Sequence, residues 1–144
     1  MSCGLEVYAN PAPTASAVVH DDDDRLLLAR RAGDPGKGLW DLLGGFMDEG
    51  EEPLETLRRE LREETGLEVE PGEFLGIWMD RYGTDEDAHA TLNLYWSARL
   101  VGGEPEAADD VSELAWFPPD ELPPAREIAF HIADVLADWR QQHA

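Results

Sequence analysis

The 144-residue chain carries one cysteine, Cys3, so no disulfide can form within it, which suits a reducing compartment. It is also poor in positive charge: 11 Lys and Arg stand against 32 Asp and Glu, for a formal net charge of -21. A chain this acidic repels nucleic-acid backbones and anionic membranes, so neither a nucleic-acid polymer nor a lipid surface is expected as a partner. It repels a small phosphorylated substrate as well, unless bound cations intervene. No apolar run approaches the roughly 18–20 residues that cross a bilayer, and no charged-then-apolar leader opens the chain. Repeats and low-complexity tracts are absent. The expectation is a cytoplasmic protein.

Hydrophobic residues make up 42%, and five Trp with four Phe supply material for one ordinary core. Residues 1–14, with Pro11 and Pro13 and no periodicity, read as a flexible lead-in, and residues 15–144 as a single domain. Ala15 to His20 and Arg25 to Arg31 read as strands around an acidic turn, Asp21 to Asp24. Gly33 to Gly38 reads as a loop. Helical periodicity starts at Pro53, a residue suited to a first helical turn, and ends at Gly66, suited to a C-terminal cap. Strands are expected over Phe74 to Asp80, Thr91 to Leu100 and Val111 to Phe117. Pro118 to Pro124 interrupts the pattern before a last helix. There Ile128, Ile132, Val135, Leu136 and Trp139 share an apolar stripe, with His131 in a structural role. Strands with one central and one terminal helix point to a mixed sheet covered by helices.

On a helix advancing about 100° per residue, with Leu54 at zero, Leu57 falls near 300° and Leu61 near 340°. Glu64 then lands near 280°, inside the apolar arc, with Glu60 near 240° at its edge and Glu63 near 180°. Clustered carboxylates at a buried face need proton uptake or a cation, and hard divalent ions prefer such oxygen donors. Arg59 precedes Glu63 by four residues, at ion-pair spacing. A salt-bridged surface helix would explain the alternation of Arg58, Arg59 and Arg62 with Glu55, Glu60 and Glu63 equally well. Geometry alone leaves both readings open.

The order of residues from Gly45 onward is more specific. Gly45 is followed after five residues by Glu51, after seven more by Arg59-Glu60-Leu61, then by Glu63-Glu64 and Gly66-Leu67. This resembles the signature of the Nudix hydrolases, G-x5-E-x7-R-E-U-x-E-E-x-G-U with U aliphatic, at every fixed position. Trp40 to Gly45 resembles the strand and loop before that box. Asp109 to Glu113, with Trp116-Phe117-Pro118, resembles the family's C-terminal segment. Leu43 stands where many relatives have proline, and Thr56 and Leu57 replace small residues.

The resemblance implies an α/β fold, an α/β/α sandwich with a central mixed sheet. It also implies an Mg2+- or Mn2+-dependent pyrophosphohydrolase acting on a small nucleotide substrate: ADP-ribose, a nucleotide sugar or an (oxidised) nucleoside triphosphate. By position, Glu60 and Glu64 become expected metal ligands, Glu63 a ligand or water-activating base, and the Gly44 carbonyl a further ligand. Arg59 is expected to orient the helix carboxylates, and Glu51 to fix the loop-helix geometry. Asp109 and Asp110 are candidates for a second acidic contribution. Arg30, Arg31, Lys37 and Arg81 are candidate phosphate contacts, and Trp78, Tyr82, Tyr95 and Trp96 a candidate base-stacking set. The alternative is a non-catalytic Nudix-fold module that senses a nucleotide. An isomerase of the same fold is disfavoured, because its chemistry needs a core cysteine and Cys3 lies at the wrong end.

Overall fold

The structure, a computed structural model, describes residues 10–83, 88–108 and 110–142. A seven-stranded mixed sheet forms its centre: β1 (Ala12–His20), β2 (Leu26–Arg31), β3 (Trp40–Asp41), β4 (Leu43–Phe46), β5 (Glu68–Tyr82), β6 (His89–Gly102) and β7 (Val111–Phe117). The strand order is β3-β2-β1-β6-β5, with β4 joined to β1 and β7 to β2. β1 is the hub. One edge pairs parallel with β6 along its whole length. The other edge pairs antiparallel with β4 over Thr14–Ala17 and then with β2 at Val19 and His20. The sheet therefore forks along β1.

Two helices cover the two faces. α1 (Pro53–Thr65) buries Leu57 and Leu61 against Ala15, Ala17 and Val19 of β1. α2 (Ile132–Gln142) buries Ile132, Val135, Leu136 and Trp139 against Val18, Leu26 and Leu28. Adjacent β1 residues feed opposite cores, as the two-residue period of a strand requires. The layers match the α/β/α sandwich expected from the sequence. Among the described residues no helix is long and apolar enough to cross a membrane.

α1 has the bounds the sequence predicts. Pro53 occupies its first turn, and Glu52 and Glu55 form a reciprocal capping box. Gly66 ends it in the left-handed conformation (φ 74°), its N–H donating to the Arg62 carbonyl. The buried set is Thr56, Leu57, Leu61 and Thr65, whose mean direction of about 320° lies close to the projected stripe. Leu54 is nevertheless 36% exposed in the first turn, while Thr56 is fully buried and widens the buried arc toward Glu60. Thr56 tolerates burial because its hydroxyl donates to Glu51 Oε1.

Strand ends differ from expectation by a residue or two at β2, β6 and the end of β5, and more at three places. β1 begins at Ala12, so Ala12–Thr14 are strand rather than lead-in, held by β6 at Thr91–Asn93. β5 starts at Glu68 rather than Phe74; Pro71 and Gly72 are accommodated within it by register shifts on either side of Phe74. Ile128 precedes α2, joining Trp40 through an isolated parallel bridge after a short 3-10 turn (Ala125–Glu127).

Candidate active site

At the open end of the fork lies a cleft of about 630 Å³. One part of its wall comes from the β4 glycines and from Glu60 and Glu64 of α1; another from Arg31, Tyr82, Phe46 and Phe130.

The first wall is held by Arg59, which has five oxygen partners. Its guanidinium donates to Glu51 from Nε (2.8 Å) and Nη2 (3.0 Å), to Glu60 (3.0 Å), to Glu63 (3.2 Å) and to the Phe46 carbonyl (3.3 Å). This fork ties α1 to the loop before it, and only a guanidinium has the donor geometry to do so. Hydrogen bonds from Arg59, Thr56 and the Asp48 backbone hold the Glu51 carboxyl down to about 2. Glu51 is thus a fixed anion at the base of the helix.

Glu64 is in the opposite situation. Its Oε1 accepts the Gly44 N–H at 3.1 Å, and no arginine reaches it. Burial first, then the charges of Glu60, Asp41 and Asp110, push its pKa up to about 8. Glu60 is also raised, chiefly by burial, against the opposing pull of Arg59. The two carboxylates sit one helical turn apart beside the β4 backbone. That backbone is glycine at both positions: a Cβ on Gly45 would fall 2.5 Å from the Glu60 carboxyl carbon and displace that carboxylate, and one on Gly44 would strike backbone, Ala15 O and Ser16 Cα at 2.4 Å.

This donor set fits a hard divalent cation. Two partly buried carboxylates carry charge that no cationic side chain fully offsets, next to exposed backbone. Among the described residues no group of three or more His, Cys, Asp or Glu side chains is assembled to hold an ion alone. Magnesium is commonly held this way, with one or two carboxylates from the protein and the remaining positions filled by water and substrate phosphate.

On the second wall, Arg31 donates to Asp41 Oδ2 (2.8 Å), the Pro35 carbonyl (2.6 Å) and the Tyr82 hydroxyl (3.0 Å). Its guanidinium carbon lies 5.1 Å from the Phe130 ring centroid and 5.7 Å from that of Tyr82. Burial raises the Asp41 pKa and Arg31 opposes that rise. Tyr82 packs edge-on against Phe46 at 5.5 Å and lies 5.9 Å from Phe130. Behind them His131 is held at both ring nitrogens. Nδ1 faces Asp80 Oδ2 at 2.7 Å and Nε2 faces the Tyr95 hydroxyl. A carboxylate at Nδ1 places the proton there, leaving Nε2 to accept the phenol O–H.

Several expected site residues stand elsewhere than the sequence suggested. Glu63 is 60% exposed, is not among the described cleft-lining residues and pairs with Arg59. Arg31 and Arg30 both line the cleft; Arg31 is held as above, whereas Arg30 lies over the Trp40 ring (4.5 Å) and 3.5 Å from Glu113, its buried Nε without a hydrogen-bond partner among the described residues. Arg81 lines it too and donates to the Ala88 carbonyl. Lys37 is exposed outside it. Of the aromatic set, Tyr82 and Tyr95 line the cleft, Tyr95 being buried in the core beneath α2 together with Trp78, and Trp96 packs against the opposite core. Asp110 lines the cleft; Asp109 lies outside the described residues. Asp41, Phe46 and Phe130 had no sequence signal, because only the tertiary fold brings them to Arg31.

The chain belongs to the Nudix family of hydrolases: the family's model, NUDIX domain, matches residues 10–139. It is 31% identical over 134 residues to an ADP-ribose pyrophosphatase of Methanocaldococcus jannaschii, covering 92% of this chain and 75% of that protein. It is 33% identical to the NAD-capped RNA hydrolase NudC of Pseudomonas aeruginosa, covering 92% of this chain but 46% of that one. A human 8-oxo-dGDP phosphatase is 32% identical, with 39% of its length covered, so the chain spans less than half of these last two relatives. Among solved structures, a MutT Nudix hydrolase from Burkholderia pseudomallei superposes with a TM-score of 0.77 at 26% identity, covering 90% of this chain and 98% of that one. Nudix hydrolases generally use divalent metal ions.

Proposed function

We propose that the chain is a magnesium- or manganese-dependent pyrophosphohydrolase that cleaves the diphosphate linkage of a nucleoside diphosphate-linked substrate. ADP-ribose and NAD-like dinucleotides are the first candidates, because relatives named for such substrates align over most of this chain. The observation that carries the reading is Glu64, a largely buried carboxylate beside Glu60, open to the cleft and without an arginine partner.

In this reading Glu60 and Glu64 hold the cation, with the Gly44 carbonyl as a further oxygen donor. Glu63 shares Arg59 Nη1 with Glu60 and in this reading would serve as a further ligand or as the water-activating base. Bound there, a divalent ion offsets the acidity of the cleft, lowers the pKa of a water and stabilises charge developing on phosphate oxygens. Arg59 and Glu51 fix the bearing of α1 on the glycine loop. Asp110 lies close enough to raise the Glu64 pKa and supplies the second acidic contribution.

The test is product release from a panel of ADP-ribose, NADH, nucleotide sugars and nucleoside triphosphates with magnesium or manganese, for wild type and Glu64→Gln. Turnover of at least one member, lost in the variant, is expected. No turnover across the panel would favour a nucleotide-sensing module instead, and activity indifferent to Glu64→Gln would sink the metal assignment.

A further inference from the structure

Phe130 is the conformational outlier of the cleft. Its φ is 51°, in the left-handed region that a bulky side chain rarely adopts, and its ring is still 39% exposed. A large aromatic side chain held at an unfavourable backbone angle and left partly open to water is not explained by core packing. Strain of this kind persists only when the surroundings impose it.

The surroundings here do so from both sides. The preceding residue, Ala129, is fully buried and donates its N–H to the Trp40 carbonyl at 2.7 Å. The following residue, His131, is bolted to two strands through its two ring nitrogens, to Asp80 of β5 and Tyr95 of β6. Between these anchors the chain turns tightly, with the Ile132 N–H donating to the Ala129 carbonyl at 3.1 Å, and the Phe130 ring is directed over Arg31 and Tyr82. Phe46, 38% exposed, meets Tyr82 from the β4 side. The result is an aromatic cluster, its rings in mutual contact, that lines the same cleft as Glu60 and Glu64 and offers it partly exposed ring surface.

We propose that Phe130, set by the Asp80–His131–Tyr95 anchor, is a specificity-determining residue that, with Tyr82 and Phe46, receives the flat heteroaromatic base of the substrate. His131 acts through Phe130 and is a positioning residue. Asp41, Tyr82 and Pro35 take three of the five N–H donors of Arg31 and fix its guanidinium in place, so in this proposal its role is to hold Tyr82 and back the aromatic cluster. Selectivity for the base then comes from stacking area, which any flat ring offers, rather than from charge.

The proposal rests on the nucleoside-diphosphate reading above, and its test avoids hydrolysis so that the two can fail separately. AMP, GMP, CMP and UMP are titrated against ribose 5-phosphate, which lacks only the base, by NMR in magnesium buffer. Wild type should bind at least one nucleotide about 5- to 150-fold more tightly than ribose 5-phosphate, the range that stacking one base supplies. Phe130→Gly, which accepts the same backbone angle without the ring, should collapse that ratio toward one, and Phe130→Tyr should restore it. His131→Ala should lower the ratio in the wild-type background and change it no further in the Phe130→Gly background. No base preference in wild type, or a preference surviving Phe130→Gly, would overturn the base-binding role of the cluster. A full additional effect of His131→Ala in the Phe130→Gly background would overturn the positioning role. Base preference without hydrolysis of any panel member would count against the hydrolase reading and leave the base-binding role standing.

Discussion

The carboxylate of Glu60 lies against the backbone of Gly45 so closely that a Cβ there would fall 2.5 Å from its Cδ and 2.8 Å from both oxygens. At neighbouring Gly44 the obstruction is backbone, Ala15 O and Ser16 Cα, and φ is +150°. The two glycines therefore separate function from folding.

Gly45→Ala should leave the fold nearly intact, because the end of the Glu60 side chain can swing away, but activity should fall by roughly tenfold or more as that carboxylate leaves its place. Gly44→Ala should instead unfold readily, losing about 1–3 kcal/mol from the backbone angle alone. Thermal melts beside turnover assays distinguish the two; a Gly45→Ala protein of normal activity would contradict the placement of Glu60.

Stability without metal should fall as pH rises from mildly acid to mildly alkaline. The Glu64 pKa of about 8 lies above its ordinary value of 4.5, so the folded state holds a proton that the unfolded state has released. The associated stability is fully present below about 4.5 and is lost as pH rises through about 8. At about 1.4 kcal/mol per pKa unit this amounts to a few kcal/mol at most. Denaturant titrations in chelator at pH 5 and pH 8.5 should show the decline, and Glu64→Gln should flatten it. Added magnesium or manganese should restore stability at the higher pH in wild type and not in the variant.

Arg59→Lys should behave almost as badly as Arg59→Ala. A lysine supplies one point charge where the guanidinium reaches Glu51, Glu60, Glu63 and the Phe46 carbonyl together. A fall in kcat of about 100-fold is expected for both, consistent with misplacement of groups around a reacting centre. Steady-state kinetics with the preferred substrate checks this, and a Lys variant within a few-fold of wild type would refute it.

Arg31→Ala should destabilise the protein by about 3–5 kcal/mol, because it strands Asp41 as a buried, unpaired carboxylate. Removing both partners, Arg31→Ala with Asp41→Ala, should cost less than the single change. Chemical denaturation of the three proteins decides the point: a double variant as damaged as the sum of the singles would show the pair to be uncoupled.

The parts of this molecule that sequence exposes are those written in consecutive residues. Pro53 and Gly66 mark both ends of α1 by their backbone preferences, and the Arg59–Glu64 run carries its chemistry at fixed helical offsets. The burial of Thr56 is less legible, because it looks polar until Glu51 is seen to accept its hydroxyl. β5 was foreshortened because Pro71 and Gly72 signal a turn in isolation but sit beside bulges once β6 lies alongside. The second wall of the cleft was illegible for a different reason. Arg31, Asp41, Tyr82 and Phe130 come from four segments, and nothing in their spacing hints that they meet. As a rare cation in an acidic chain Arg31 stands out in the sequence, but its partners Asp41, Pro35 and Tyr82 do not.

The fork in β1 joins these two walls mechanically. The half of that strand that pairs with β4 carries the glycines and the helix carboxylates. The half that pairs with β2 carries the strand bearing Arg31. In the reading proposed above, fraying β1 would loosen the carboxylate wall and the aromatic wall in one event, so a partly opened molecule would be silent rather than indiscriminate.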